Sequence, residues 1–180
     1  MEVLGPDESP ATPGGTAVTI GAYDGVHRGH RHLLSLLRER AAVRGLRSAV
    51  VTFDRHPATV VRPGSAPPLL TDLDQKLELL ADCGIDLTLV VPFDRARADE
   101  TAEDFVADVL IRRAGAQLVV VGEDFHFGHG RKGNVALLGE LGAIGGFEVE
   151  GIALAGDGPE AVSSTRIRQL VAAGDVAGAA

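Results

Sequence analysis

Short apolar strands and amphipathic helices alternate along this chain, and this order constrains the fold more than any other feature of the sequence. Runs rich in β-branched and other apolar residues predict five strands, at about 17–23, 46–53, 86–91, 116–121 and 147–153. Each helix between them is predicted to end at a glycine, one or two residues before the next strand. Strands that alternate with helices pair in parallel through right-handed crossovers. The sequence therefore predicts an α/β fold: a Rossmann-like, doubly wound, five-stranded parallel sheet with helices on both faces.

The length of the chain fits one globular domain. Its 180 residues include 45% hydrophobic residues, enough to build a single core and too many for a disordered chain. We expect residues 1–16 to form a loose N-terminal lead-in and residues 17–175 to form the domain. No segment approaches the ~20 apolar residues that a membrane-spanning helix needs. We therefore expect no membrane partner.

Net charge and cysteine content narrow the choice of binding partners and of cellular location. The formal net charge is −8, which argues against general binding to nucleic acid. Cys83 is the only cysteine, so the chain forms no internal disulfide and no thiolate metal cluster. A single cysteine with no disulfide is typical of a cytoplasmic protein.

A glycine-rich bend, Gly21–His30, joins the first predicted strand to the first predicted helix. Such turns bind phosphates in α/β proteins, because the free N–H groups at the start of the helix point into the loop. The bend has neither the G-x-G-x-x-G nor the Walker pattern. Its distinctive part is His27-Arg28-Gly29-His30, a His-x-Gly-His sequence. The alternative interpretation is a helix start that carries solvated histidines.

Polar segments also follow the second, fourth and fifth predicted strands, at 54–57, 122–133 and 163–168. Because parallel strands share a direction, all of these segments and the bend are expected at one edge of the sheet, where such folds bind ligands. The last segment, Ser163-Ser164-Thr165-Arg166-Ile167-Arg168, opens a helix. Taken alone, its serines and threonine are also explained as an ordinary helix cap.

Four blocks of this sequence resemble the FMN adenylyltransferase module of the bacterial bifunctional riboflavin kinase/FAD synthetase family, within the nucleotidylyltransferase superfamily. The blocks are Gly21–His30, Thr52–Pro57, Gly122–Gly128 and Ser163–Arg168. They occur in the family's order and span about residues 17–172. The first and last contain sequences similar to the two phosphate signatures of the superfamily.

The resemblance implies that the adenylyl group of ATP is transferred to FMN, giving FAD and pyrophosphate. The attacking phosphate of FMN is already an anion, so the reaction needs no general base and no covalent nucleophile. The protein would supply positioning and stabilisation of charge. Mg²⁺ is expected to arrive with ATP, held mainly by phosphates and water, and no metal site built by the protein is expected.

The resemblance also implies individual roles. The residues expected to act on the reacting phosphates are His27, His30, Ser164, Thr165 and Arg166. Those expected to bind ATP are Gly21, Ala22, Tyr23, Asp24, Gly29, Gly122 and Ser163. Those expected to bind FMN are Phe53, Asp54, Pro57, Asp124 and Phe125. Arg168 is either a further ligand or a solvated surface arginine.

The chain departs from the family pattern in three respects. Tyr23 stands where the family usually has Phe, and Arg55 stands where it usually has Pro, which alters a turn beside the expected flavin site. The family also usually carries a riboflavin kinase domain after this module, whereas this chain stops at Ala180. We therefore expect FAD from FMN and ATP, and no FMN from riboflavin.

Three alternative functions stay open. The first is the same chemistry on another acceptor, such as a nicotinamide or pantetheine phosphate. The second is a flavin- or nucleotide-binding module without turnover. The third, a zinc site built from His126 and His129 with His27 and His30, is disfavoured because no cysteine accompanies them and arginines are interleaved.

Overall fold

A computed structural model describes residues 1–6, 8, 14–153 and 162–179 of the chain. Its core is a parallel sheet of six strands in the order β1-β4-β3-β2-β5-β6. The strands are β1 Glu2–Leu4, β2 Thr16–Ile20, β3 Arg47–Phe53, β4 Leu87–Val91, β5 Ala116–Gly122 and β6 Glu148–Ile152. The predicted parallel α/β sheet is thus confirmed, with one strand more than expected.

The additional strand lies in the segment that was predicted to be a loose lead-in. Glu2 to Leu4 pair in parallel with Leu87 to Leu89 at one edge of the sheet, and the Leu4 side chain is buried. The lead-in prediction is therefore wrong for these residues, because a strand of three residues is too short to show a periodicity. Residues 7 and 9–13 of the lead-in lie outside the described residues.

Helices cover both faces of the sheet. They are α1 Arg28–Arg44, α2 Ala58–Val61, α3 Leu73–Asp82, α4 Arg95–Asp99, α5 Ala102–Phe105, α6 Val135–Gly145, α7 Ser164–Ala172 and α8 Val176–Ala179. A π-helical segment, Val106–Arg113, continues α5. The cap of α3 is Asp72, in a capping box with Gln75. No helix in the described ranges is both long and apolar enough to cross a bilayer.

Two apolar clusters hold these layers together. One packs the π-helical segment and α6 against one face, with Val109, Leu110 and Leu138 fully buried. The other packs α1 and α3 against the opposite face through Leu34, Leu37 and Leu80. Because both faces of the central strands are covered, these strands are buried along nearly their whole length, with apolar side chains and several buried hydroxyl side chains.

The order of the strands reverses beside β2. The chain runs from β2 to β3 and β4 on one side, and β5 then pairs with β2 on the other side. In open α/β sheets the loops on the two sides of such a reversal lead away from each other, which leaves a crevice at the carboxyl ends of the two strands, here β2 and β5. This position is where open α/β sheets bind their ligands.

Candidate nucleotide-binding site

The glycine-rich bend after β2 ends in two stacked histidines at the start of α1. His27 is the N-cap of α1, and its Nδ1 accepts a hydrogen bond from the His30 backbone N–H at 3.4 Å. The two imidazole rings are stacked with their centroids 3.7 Å apart. Within the described part of the chain, the His30 Nδ1 is buried without a hydrogen-bond partner. A buried nitrogen without a hydrogen bond destabilises the fold, and a substrate, a water or an ion could supply the missing partner.

Both histidines are held in the neutral form. The pKa of His30 is lowered to about 3, mainly by burial and also by the neighbouring His27, while Asp24 opposes the shift. Burial likewise lowers the pKa of His27, again against Asp24. A neutral imidazole still carries one N–H donor. The pair therefore offers hydrogen bonds to a ligand, and positive potential must come from helix amides and arginines.

The backbone of the bend is strained at two residues. Tyr23 has a φ of 50° and Val26 a φ of 37°, which cost about 1–3 kcal/mol each in residues other than glycine. Both side chains are buried, and the Tyr23 hydroxyl bonds Thr19 Oγ1 at 2.8 Å. This bond satisfies the hydroxyl that distinguishes Tyr23 from the family's usual Phe. Burial thus fixes the shape of the bend before any ligand binds. The strand β2 ends at Ile20, three residues before the end that the sequence predicted for it.

Asp24 lies at the centre of a hydrogen-bond network behind the bend. Its carboxylate accepts the backbone N–H groups of Leu70 at 2.9 Å and Thr71 at 3.0 Å. It also forms an ion pair with Arg168, which comes from α7. The Asp24 side chain is buried, at 5% exposure, and the Arg168 side chain is largely shielded from solvent, at 13% exposure. The Asp24 carboxylate is therefore already engaged within the protein, and its expected contact with ATP stays a prediction.

The start of α7 lies against the same bend. Ser163 caps α7 by accepting the Arg166 N–H at 3.2 Å, and Ser164 Oγ donates to the Asp24 carbonyl at 3.0 Å. Thr165 and Arg166 are exposed on the first turn. The beginnings of α1 and α7 thus lie at one edge of the sheet, which is the placement that the sequence predicted.

The remaining residues of the expected ATP site lie at the ends of β2 and β5. The Gly21 N–H bonds the Val51 carbonyl at 3.0 Å, and the Ala22 carbonyl accepts from Thr52 Oγ1 at 3.3 Å. A Cβ at Gly29 would lie 3.3 Å from the His27 ring and 3.5 Å from the Val162 carbonyl. The segment before α7 therefore lies next to the first turn of α1. Gly122 is the last residue of β5, across the crevice from Gly21.

The loop after β3 holds three of the expected flavin residues. Phe53 packs edge-to-face on Phe93, with centroids 5.1 Å apart. The Asp54 carboxylate accepts the Phe93 N–H at 2.9 Å and pairs with Arg55 at 2.9 Å. Burial would raise the pKa of Asp54, but the bonds from Arg55 and Phe93 outweigh it, and the pKa is lowered. Pro57 occupies the N-cap position of the short helix α2. Arg55 is accommodated in this turn by its bond to Asp54.

The loop after β5 holds the other two residues that are expected to bind FMN, Asp124 and Phe125. Asp124 is exposed, and its carbonyl bonds His126 Nδ1 at 2.7 Å. Phe125 is partly buried and stacks on Phe127, with centroids 5.4 Å apart. Because β2 lies between β3 and β5, the two expected flavin segments flank the bend. In the described ranges, no three histidine, cysteine or acidic side chains are placed to hold a metal ion.

Sequence reasoning missed two residues at this edge and left the role of a third open. The third, Arg168, forms an ion pair with Asp24 with only 13% of its side chain exposed, and it is not a solvated surface arginine. Lys76 is buried, with Nζ 2.8 Å from the Phe53 carbonyl and 3.3 Å from the Ala22 carbonyl. Phe93 forms the aromatic partner of Phe53. For Lys76 a signal existed, because a lysine interrupts the apolar face of the helix around 73–80.

Comparison with known proteins identifies the family. The sequence profile of the FAD synthetase family matches residues 9–166. The chain is 41% identical over 164 residues to the bifunctional riboflavin kinase/FMN adenylyltransferase of Escherichia coli K12, covering 91% of this chain and 52% of that protein. It is 38% identical over 161 residues to the Pseudomonas fluorescens protein of the same name, and this match covers 89% of this chain and 51% of that protein. The chain thus spans about half the length of the curated relatives it matches.

A solved structure shares the fold. The crystal structure of a protein described as a macrolide-efflux protein from Streptococcus pneumoniae matches with a TM-score of 0.84 and 27% identity. The match covers 98% of this chain and 60% of that one. The predicted fold class and the resemblance read from the four sequence blocks are both confirmed, and this chain belongs to the FAD synthetase family.

Proposed function

We propose that this chain transfers the adenylyl group of ATP to FMN and releases FAD and pyrophosphate. The observation that carries the proposal is the meeting of two helix N-termini at the crevice. Ser164 of α7 bonds the Asp24 carbonyl at 3.0 Å, beside the two histidines that begin α1. Two helix starts facing one crevice suit a ligand with several negative charges. Membership of the FAD synthetase family supports the identity of the reaction.

The reaction needs little covalent chemistry from the protein. A phosphate oxygen of FMN attacks the α-phosphorus of ATP, and a new phosphoanhydride bond forms. The bond from the α-phosphorus to the bridging oxygen breaks, and this oxygen leaves on pyrophosphate. No proton transfer is required, because the attacking oxygen is anionic and pyrophosphate leaves as an anion.

The side chains at the two helix starts are assigned by their positions. His27 and His30 donate to the α- and β-phosphates, aided by the amides of α1. Ser163, Ser164 and Thr165 present amides and hydroxyls at the start of α7, and Arg166 neutralises the charge that develops on pyrophosphate. Each donor aimed at developing charge is worth about 3–4 kcal/mol of barrier.

The flavin would lie beside the aromatic residues that flank the bend. Phe53 and Asp54 after β3, with Pro57, form one wall, and Asp124 and Phe125 after β5 form the other. Phe53 is held by Phe93 at 5.1 Å, and Phe125 by Phe127 at 5.4 Å. Rings fixed in this way lose little entropy when a flat ligand stacks on them.

Mg²⁺ would enter bound to ATP, where it neutralises phosphate charge. The carboxylate that acts on the pKa of both histidines, Asp24, is engaged by Leu70, Thr71 and Arg168, so phosphates and water are expected to supply most of the ligands. The single cysteine, Cys83, is the reason for proposing the cytoplasm as the location. We propose small-molecule substrates only, with no nucleic acid or membrane partner.

The direct test is an assay of products. Purified protein is incubated with ATP and Mg²⁺ and with one acceptor at a time: FMN, nicotinamide mononucleotide or phosphopantetheine. We expect FAD and stoichiometric pyrophosphate from FMN alone, separated by chromatography. Product from another acceptor instead of FMN would reassign the substrate. Binding of ATP and FMN by calorimetry without pyrophosphate release would indicate a binding module without turnover.

A further inference from the structure

Lys76 bridges the two loops that are assigned to the two substrates. Its ammonium donates to the Ala22 carbonyl at 3.3 Å, in the bend after β2, and to the Phe53 carbonyl at 2.8 Å, at the end of β3. The side chain is only 7% exposed. A buried ammonium is costly unless its donors are satisfied, and here two of its three donors join the loops directly.

The helix that carries Lys76 is itself fixed to the bend. The residues just before α3, Leu70 and Thr71, give their N–H groups to the Asp24 carboxylate at 2.9 and 3.0 Å. The Gly25 N–H in turn donates to Thr71 Oγ1 at 3.1 Å. The start of α3 and the bend therefore form one unit, and Lys76 extends from this unit to the end of β3.

Little free space lies beside the ammonium. The free space beside it is a cavity of about 20 Å³, lined by Asp24, Asp54 and Lys76 among others, which is the size of one water. Burial lowers the pKa of Lys76, while Asp24 and Asp54 raise it. The positive charge of Lys76 is thus stabilised electrostatically by two carboxylates, one in each of the two loops.

We propose that Lys76 is a positioning residue that fixes the separation of the ATP loop and the FMN loop, and so aligns the attacking phosphate with the α-phosphate. This inference rests on the proposed function. It goes beyond it by assigning a role to a residue outside the four sequence blocks. Because each loop keeps its own contacts without Lys76, each substrate should still bind alone. Only their relative placement, on which turnover depends, should change.

The test separates binding from turnover. In Lys76→Met, we expect kcat for FAD formation to fall by about thirtyfold or more, while the Kd of an ATP analogue alone and of FMN alone changes by less than about threefold. The matched control is Arg44→Met, which removes a partly exposed cation at the far end of α1 and should leave kcat unchanged. A kcat of Lys76→Met near that of the wild-type protein would overturn the inference, as would a parallel loss of both binding constants.

A second variant keeps the inference testable if Lys76→Met does not fold. Lys76→Arg keeps a cation at this position but replaces the compact ammonium with a longer, planar guanidinium, which changes the geometry of the bridge between the Ala22 and Phe53 carbonyls. We expect a lower kcat with unchanged binding of each substrate, and a normal kcat would count against the bridging role. Absence of FAD from the wild-type protein is a different outcome, because it contradicts the proposed function and the inference with it.

Discussion

His30→Ala is expected to lower kcat for FAD formation at least about a hundredfold, the usual loss when one donor to developing charge is removed. The ring lies under His27 and beside Tyr23, at 3.7 and 4.9 Å between centroids. Burial lowers the pKa of His30 to about 3, so the free protein carries it neutral throughout the range from pH 5.5 to 8. Since kcat/KM reports groups of the free enzyme, the ratio of wild-type to variant kcat/KM should stay constant over this range.

The control for this experiment is His32→Ala, an exposed position on the same helix, which should keep a normal rate. The unfolding midpoint of each variant distinguishes loss of chemistry from loss of structure. A near-normal rate for His30→Ala would remove His30 from the mechanism. A ratio that changes as a single titration near pH 6.5 would show that the ring acts as a charged group.

Asp24→Asn is expected to destabilise the protein by about 3 kcal/mol and to lower kcat by about tenfold to a hundredfold. The substitution preserves the shape of the side chain and an acceptor for Leu70 and Thr71, but it leaves Arg168 without its counter-ion. Arg168 has only 13% of its side chain exposed, so its charge is poorly solvated once it is unpaired. The start of α7 should then move relative to the bend. Urea unfolding and steady-state kinetics measure the two effects.

A double variant separates the effect of Asp24→Asn on stability from its effect on activity. Asp24→Asn combined with Arg168→Met removes both charges, and we expect it to recover much of the stability without recovering the rate. The matched control is Glu150→Gln, which breaks the partly exposed Arg40–Glu150 pair at 37% and 29% exposure and should cost less than about 1 kcal/mol. Equal stability and rate for Asp24→Asn and wild type would contradict the assigned role of this ion pair.

The parts of the fold that could be predicted are those governed by local rules. The helix α1 ends at Arg44 because Gly45 takes the left-handed conformation, and the apolar runs became β2 to β5, whose residues are mostly buried because both faces are covered. The shared direction of parallel strands placed the polar loops at one edge. These features depend on neighbouring residues or on the order of elements, and both are visible in a sequence.

The features that could not be predicted depend on contacts between distant segments. Asp24 was expected to contact ATP, but its carboxylate is held by Leu70, Thr71 and Arg168, the last of them 144 residues away. Lys76 extends from α3 to two loops that contain none of its sequence neighbours. Packing of this kind leaves no periodic pattern, and a charged residue in an apolar stripe gives only a weak signal.

The central claim is that α1 and α7 begin at a single polyphosphate site, and backbone amide chemical shifts test it most directly. A ¹⁵N-labelled sample is titrated with Mg²⁺ and α,β-methylene-ATP, which cannot transfer its adenylyl group. We predict that the amides of Gly29 and His30 and those of Thr165 and Arg166 shift together, with one shared Kd. Shifts at only one of the two helix starts, or two different dissociation constants, would contradict the account.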